Sequence, residues 1–346
     1  MALAKVARCQ CQRLPDFSLS LSTFQLYRFS PRLLRRAIHA RLAWSLKQLI
    51  DAWPEEEFAP SAAMAEGFFL RLHRGHVDGC DFFLHHQLLV HLIADDYEQA
   101  REIVGVGAHR LPRLSPVVLS LCRDCLGDDA SWYEQAFTFN DLPSGRLKLT
   151  APDAVALERS RGWLGRAESL LRVAAPEAHA EWIAFRPVWL LASVAADSAH
   201  GFGGYSSSLA WGTIALNANR QSIADLLIQA IHELAHQLLF ALALDVPLAL
   251  NDPLATYASP LRRDPRPMDG VLHACFVSAR VAEVLAQLEA SAAWAHVAPA
   301  DQQTLMAERQ ASRQAVCDAL PTIDRHAQLS ALGERVVLAA RQTVQR

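Results

Sequence analysis

The sequence predicts a mainly α-helical protein with a small β element near the middle of the chain. Along most of the 346 residues, apolar side chains recur at helical spacing with charged residues between them. Residues 186–194 and 208–217 differ, because they have the β-branched and aromatic content of strands. A strongly apolar amphipathic segment, residues 222–244, follows the second predicted strand. Together these observations indicate a helical protein built around a small sheet.

The predicted helices are spread over both halves of the chain. In the first half they cover residues 31–52, 60–73, 82–95, 97–104, 114–126 and 153–175. In the second half they cover residues 222–244, Gly270 to about 291, 301–315 and 327–344. Residues 247–270 contain prolines at 247, 253, 260, 265 and 267, so we expect this stretch to be irregular.

Composition and charge favour a cytoplasmic protein that binds neither nucleic acid nor a membrane. The net charge is −3, and Lys and Arg are scattered among Asp and Glu without a basic stripe. Lys5, Arg8 and Arg13 interrupt the N-terminal apolar stretches, so no signal peptide is expected. The longest central apolar run is broken by Asp245 and Pro247 and is too short to span a bilayer.

The segment His232-Glu233-Leu234-Ala235-His236 predicts a metal site. His232 and His236 are four residues apart, so a helix places both imidazoles on one face, where they can bind one cation. Glu233 stands beside them, in position to act on a metal-bound water or on a substrate. The same spacing also arises by chance, but burying these side chains in so apolar a helix without a metal would be costly. A strand directly before such a helix is the arrangement of zincin-like domains.

A metal site of this kind needs a third ligand. Leu239 and Leu242 occupy the places where the extended protease motif has a glycine and a third histidine. His273 is the nearest downstream histidine, and we favour it as the third ligand. Glu283 is the first glutamate after the motif and is the alternative ligand. In another interpretation, His273 faces solvent at the start of a helix.

Arg266 lies in a proline-rich stretch just before His273. Pro265 and Pro267 fix the backbone on either side of it. A rigidly held arginine suits bidentate recognition of a carboxylate or phosphate group. A surface loop in which Arg262 or Arg266 pairs with a neighbouring aspartate is the alternative interpretation.

The combination of these motifs resembles a known family. The chain is similar to the HExxH proteins associated with ribosomally synthesised, modified peptides. The similarity lies in three successive motifs: His-Glu-x-x-His, Arg-x-Asp-Pro-Arg-Pro, and Gly-Val-Leu-His at the start of a helix. That family includes iron- and 2-oxoglutarate-dependent peptide β-hydroxylases. The matching motifs cover residues 205–290. We therefore divide the chain into a helical N-terminal region, residues 1–180, and an HExxH catalytic region, residues 181–346, expected to form one compact unit.

The resemblance implies a cofactor arrangement. Iron(II) would be held by His232, His236 and His273, with 2-oxoglutarate chelating the metal. An arginine would bind the far carboxylate of 2-oxoglutarate, and Arg266 is our first choice and Arg262 our second. Three protein ligands leave positions for a bidentate cosubstrate and for O₂, although the familiar iron triad has a carboxylate in place of one histidine.

The resulting hypothesis is an iron(II)- and 2-oxoglutarate-dependent dioxygenase that hydroxylates the β-carbon of a residue in a ribosomally made precursor peptide. The oxygenase mechanism does not by itself explain Glu233, which we place in the catalytic site. The alternative is a zinc metallopeptidase, in which Glu233 is the general base for a zinc-bound water. A third class is a metal-free module that captures a leader peptide.

A second sequence pattern points to another oxygenase class. His76-Val77-Asp78 matches the His-x-Asp motif of ordinary 2-oxoglutarate oxygenases. Those enzymes place the motif in a β-rich barrel, whereas this stretch has a helical pattern. We therefore do not favour a metal site at His76 and Asp78.

Overall fold

The protein is mainly helical and contains a small mixed β-sheet, as the sequence predicts. The computed structural model describes residues 30–53, 58–113, 117–138, 147–185, 188–196, 198, 201–244, 246–259 and 262–345. Of Thr138, Arg262 and Arg263 it describes the backbone alone.

The first half of the chain folds mostly into helices. They are α1 (Pro31–Asp51), α2 (Ala62–His73), α3 (Gly79–Ile93), α4 (Tyr97–His109), α5 (Arg123–Leu126), α6 (Asp129–Thr138), α7 (Ala154–Ala174) and α8 (Pro176–Phe185). Several begin where the side chain of a serine or aspartate accepts a hydrogen bond from a backbone N–H of the first turn. These capping residues are Ser61, Asp78, Asp96 and Asp153.

The second half carries the long helices of the predicted catalytic region. They are α9 (Ile223–Leu242), α10 (Met268–Glu289), α11 (Pro299–His326) and α12 (Ala331–Gln345). Ser222 caps α9 as predicted, because its side chain accepts a hydrogen bond of 3.0 Å from the N–H of Asp225. The helix α10 begins at Met268, before the predicted start at Gly270.

The sheet contains strands from both halves of the chain. Its strands are β1 (Val117–Ser120), β2 (Leu149–Thr150), β3 (Val188–Val194), β4 (Gly204–Ser206) and β5 (Thr213–Asn217), in the order β1-β3-β5-β4 with β2 also on β3. The strands β1, β3 and β5 are parallel, and β4 runs antiparallel to β5. Residues 188–193 are all buried, as expected for a strand covered by helices on both faces.

The prediction of a helix over residues 114–126 is wrong. Residues 117–120 form the parallel strand β1, and only residues 123–126 are helical; residues 114–116 lie outside the described part of the chain. The backbone of Val117 to Ser120 pairs with β3 from Val188 to Leu191. Pairing with a distant strand thus outweighs the short helical pattern of this segment.

The proline-rich stretch before α10 is more regular than predicted. Residues 256–259 form β6 (Thr256–Ser259), which pairs antiparallel with β7 (Arg262–Pro267). Prolines are compatible with this hairpin because a two-stranded ribbon has outer edges that need no ladder hydrogen bond. The pairing places Tyr257 opposite Arg266.

The helix α9 lies across the sheet and against α10, with most of its residues in the main hydrophobic core. Two hydrogen bonds attach it to the turn before β5. The Nε1–H of Trp211 donates to the backbone carbonyl of Gln237 at 2.9 Å. The N–H of Gly212 donates to the side-chain Oε1 of the same Gln237 at 2.8 Å. Both contacts are buried, so they fix α9 relative to the sheet.

In the described part of the chain, α10 is long and apolar enough to cross a membrane by length and composition. However, 78% of its most apolar window is buried inside the protein. Buried core helices meet the same criterion, so this helix is weak support for a membrane span.

Candidate metal centre

His232 and His236 stand side by side on α9, as their spacing predicts. Their Nε2 atoms are 3.3 Å apart, and their ring centroids are 5.0 Å apart. Two imidazole nitrogens that each lie about 2.1 Å from one cation at a tetrahedral angle are separated by about 3.4 Å. The pair therefore fits the requirements of two ligands to a single transition-metal ion.

The electrostatic environment keeps both imidazoles neutral. Burial lowers the pKa of His232 to about 4, and burial together with the neighbouring His232, His273 and Arg266 lowers that of His236 to about 3. A neutral ring nitrogen is the form that binds a metal. Both histidines are thus available as ligands at neutral pH.

His273 lies beside this pair, on α10. Its ring centroid is 6.1 Å from that of His236, and burial lowers its pKa. Two imidazoles that share an ion have centroids about 5 Å apart, so His273 would have to approach by about 1 Å. Among the described residues, no set of three His, Cys, Asp or Glu side chains is arranged closely enough to hold a metal ion. The predicted histidines are brought together, but the third stands just outside ligand distance.

Phe240 forms one wall of the histidine cluster. Its ring is 6.0 Å from that of His236 and 5.7 Å from that of His273. The sequence analysis does not single out Phe240, although its position one turn after His236 puts it on the same helix face. An aromatic wall excludes water from this side of the cluster.

Glu233 is buried against the edge strand β4. The residue is 4% exposed, and the Ser206 hydroxyl donates a hydrogen bond of 2.7 Å to its Oε2. Gly204 makes room for it, because a Cβ at that position would be 2.8 Å from Cγ and 2.9 Å from Oε1 of Glu233. Burial raises the pKa of Glu233 to about 7, although hydrogen bonds from Ser206 act in the opposite direction. Ser206 and Gly204 carry no sequence signal that would have identified them.

Arg266 reaches the histidine cluster from β7. Its side chain crosses the start of α10, where a Cβ on Gly270 would be 3.3 Å from its Cβ and from its Nε. Its positive charge contributes to lowering the pKa of His236 and of His273. The side chain of Arg262, our second choice, lies outside the described residues; its backbone pairs with Ser259.

Asp269 is a further charged group next to the site. It lies four residues before His273 on α10, and its negative charge raises the pKa of His273. Its Oδ1 accepts a hydrogen bond of 3.3 Å from the N–H of Ala249. A carboxylate in this position can orient a ligand histidine. The four-residue spacing to His273 is the sequence signal that could have identified it.

Glu283, the alternative third ligand, is directed elsewhere. Ten residues separate it from His273 on the same helix, so it lies about 15 Å farther along the helix axis. Its Oε2 accepts a hydrogen bond of 2.9 Å from Arg280, which also pairs with buried Glu181 at 2.8 Å. Glu283 therefore belongs to an ion-pair network inside the helix bundle.

The His76-Val77-Asp78 pattern serves a structural purpose. It precedes α3 and is not helical, contrary to the predicted pattern. Asp78 caps α3, and its carboxylate pairs with Arg110 at 2.7 Å in a buried ion-pair network. His76 is exposed. Helix capping and ion pairing explain this aspartate without a metal.

Comparison with known proteins does not identify the chain. No protein-family model matches it, and no curated protein matches it in sequence. Conclusions about its activity therefore rest on the geometry of the site and on the motifs themselves.

Proposed function

We propose that this protein is an iron(II)- and 2-oxoglutarate-dependent dioxygenase that hydroxylates the β-carbon of a residue in a ribosomally made precursor peptide. The observation that carries the proposal is the packing of Arg266 against Gly270, one turn before His273 at the start of α10, where its charge also acts on His236 and His273. A dicarboxylic cosubstrate that chelates a metal through one end needs a cation for the carboxylate at its other end. A peptidase has no such requirement.

The chain's own residues support this assignment in distinct ways. His232 and His236 would hold the ion together with His273, and Arg266 would bind the far carboxylate of 2-oxoglutarate through paired N–H donors. When bound, iron(II) with 2-oxoglutarate supplies the capacity to activate O₂ for C–H hydroxylation. Phe240 keeps water from one side of the cluster.

The edge of the sheet favours a peptide as substrate. In the described part of the chain, β4 is the last strand on its side of the sheet. Its Ser206 also contacts Glu233 on the metal helix. An extended peptide that adds to such an edge would be held by main-chain hydrogen bonds beside the helix that carries His232 and His236. Glu233 would then orient the peptide or a water molecule through its buried carboxyl group.

We also propose that the protein acts in the cytoplasm, with the precursor peptide and O₂ as its reaction partners and with no role for nucleic acid or a membrane. The net charge of −3 supports this assignment, since most Lys and Arg residues are interspersed with Asp and Glu along the sequence.

Zinc metallopeptidase activity is the second candidate function. It is favoured by the pKa of Glu233, which is raised to about 7 and so suits a general base at neutral pH. In this alternative, Glu233 would take a proton from water bound at the histidines.

One experiment separates the two activities. The full chain is reconstituted anaerobically with iron(II) and 2-oxoglutarate, and the visible absorption spectrum is recorded before a candidate precursor peptide and air are added. A weak charge-transfer band, followed by a 2-oxoglutarate-dependent gain of one oxygen in the peptide mass, is the expected result. Peptide hydrolysis by the zinc-loaded protein, with no band in the iron-loaded protein, would overturn the hydroxylase assignment.

A further inference from the structure

A strongly basic cavity lies on α1, away from the residues assigned to the metal. Its volume is about 520 Å³, and it is bounded by α1, by the turn after α2 and by the end of α8. Its polar lining consists of Arg32, Arg35, Arg36, His39, Arg74 and His76. Cavities of this size are typical of sites for small molecules.

The α1 side of the cavity is one continuous helix face. Arg32, Arg35, Arg36 and His39 are at the relative positions i, i+3, i+4 and i+7, which coincide on one side of a helix. The three arginines carry like charges, which repel one another at these spacings and destabilise an isolated helix. Helix stability therefore does not explain the arrangement, whereas a bound anion would remove the repulsion.

The facing wall comes from a tight turn. Gly75 follows α2 with φ +76°, a left-handed conformation that glycine adopts without strain. The turn brings Arg74 and His76 into the lining of the same cavity. A Cβ on Gly75 would be 4.0 Å from Nδ1 of His39, so the two walls meet at this point.

The positive charge of the cavity is not balanced by its own lining. Among the residues that the structure describes, no Asp or Glu lines the cavity. Arg32 and Arg74 form no salt bridge with any other residue in the described ranges. Asp81 is close enough to raise the pKa of His39, but Arg71 already pairs with it at 2.6 Å.

We propose that this cavity binds a phosphorylated small molecule that carries two or more linked phosphate groups. Guanidinium groups match phosphate oxygens with paired N–H donors, and several of them are needed to offset a charge of −3 or more. The cavity is larger than a diphosphate group itself requires. The remaining space lies against Ile183 and Ala184, whose apolar side chains suit the organic part of such a ligand. This site is independent of the proposed hydroxylase activity.

The test uses inorganic pyrophosphate as the probe and the full chain without added metal. Binding is measured by isothermal titration calorimetry at constant ionic strength, with Arg32→Gln and Arg74→Gln as variants. Both side chains are exposed, so neither change threatens the fold. Each lost charge-assisted contact is expected to weaken binding about tenfold or more. Arg325→Gln is the control, because Arg325 is an exposed arginine on α11 and is expected to leave binding unchanged.

Three further outcomes would overturn the proposal. The first is the absence of pyrophosphate binding at millimolar concentration, or equal binding by all the variants. The second is binding of sulfate as tight as that of pyrophosphate, which would show that linked phosphates are not required. The third is tighter binding of an octaglutamate peptide, which would identify the cavity as a docking site for an acidic peptide.

Discussion

The hydroxyl of Ser206 donates a hydrogen bond to the carboxylate of Glu233 at 2.7 Å, linking the edge strand β4 to the helix α9. Glu233 lies between His232 and the rest of the His-Glu-x-x-His motif, yet it is buried and faces β4. Through this contact Glu233 holds α9 against β4, whichever reaction the protein catalyses. It also connects the strand that could guide a peptide to the helix that could hold the metal.

Replacing Ser206 with alanine should lower the free energy of unfolding by about 1–2 kcal/mol, because the buried Glu233 carboxyl loses its hydroxyl donor. Urea denaturation of the metal-free protein measures this loss. Ser169→Ala is the control, since the exposed Ser169 hydroxyl bonds only to a carbonyl of its own helix. A similar decrease in the free energy of unfolding of both variants would contradict the stabilising role of the Ser206–Glu233 hydrogen bond.

Replacing Glu233 with glutamine should distinguish the two candidate reactions. Glutamine keeps the size of the side chain but cannot accept a proton at neutral pH, so a peptidase should lose its activity. A hydroxylase needs no water activation, and measurable oxygen incorporation into the peptide is expected to remain. His236→Ala removes a proposed metal ligand and should abolish both activities, so it sets the background level of each assay. Complete loss of hydroxylation in the glutamine variant would assign Glu233 a direct part in that reaction.

Replacing His273 with alanine should reduce iron(II) affinity at least tenfold, because one of three proposed ligands is removed. Metal content after reconstitution and desalting, measured by mass spectrometry, is the readout. His296→Ala is the matched control, because His296 is another downstream histidine and is exposed. Unchanged iron content in the His273 variant would show that the third ligand lies elsewhere.

Replacing Gly270 with alanine should raise the KM for 2-oxoglutarate while leaving iron content unchanged. The new Cβ would be 3.3 Å from Cβ and Nε of Arg266, so the arginine must shift from its position beside the histidines. A shift of this kind is expected to cost several-fold in cosubstrate affinity. Gly162→Ala is the control, since Gly162 lies in α7 with nothing within 4 Å of the added Cβ. An unchanged KM in the Gly270 variant would argue against Arg266 as the carboxylate-binding residue.

Replacing His39 with phenylalanine should make the protein less sensitive to acid. Burial, together with the charge of Arg35, lowers the pKa of His39 from 6.5 to about 3, although Asp81 acts in the opposite direction. The folded protein therefore resists protonating a group that the unfolded chain protonates below pH 6.5. Its stabilising contribution is complete above that pH and is lost progressively as the pH falls toward 3.

Between pH 7 and pH 5, His39 should lower the free energy of unfolding by about 2 kcal/mol. The phenylalanine variant should not show this decrease. Phenylalanine can keep the ring contacts that His39 makes with Phe82 and Trp211. Thermal unfolding between pH 7 and pH 5 measures the difference. His109→Phe, at an exposed histidine, should retain the pH dependence of the original protein. Parallel pH profiles for all three proteins would contradict a buried, neutral His39.

Local patterns in the sequence predicted the positions of the long helices and the first pair of metal-binding candidates, although α11 continues from the predicted end at residue 315 to His326. Ser222 caps α9 as predicted, because a capping hydroxyl and the N–H it binds are only a few residues apart. The helical period alone brings His232 and His236 to one face. These features depend on interactions within a single helix, which the order of residues specifies directly.

The tertiary structure decided every relationship between distant segments. It made residues 117–120 a strand by pairing them with β3, and it placed Ser206 against Glu233 and Arg266 over Gly270. It also brought His273 of α10 beside His236 of α9, and it paired Arg280, the partner of Glu283, with the distant Glu181. Contacts of this kind arise from packing of the whole chain, because burial and strand pairing bring together residues whose local patterns contain no information about one another.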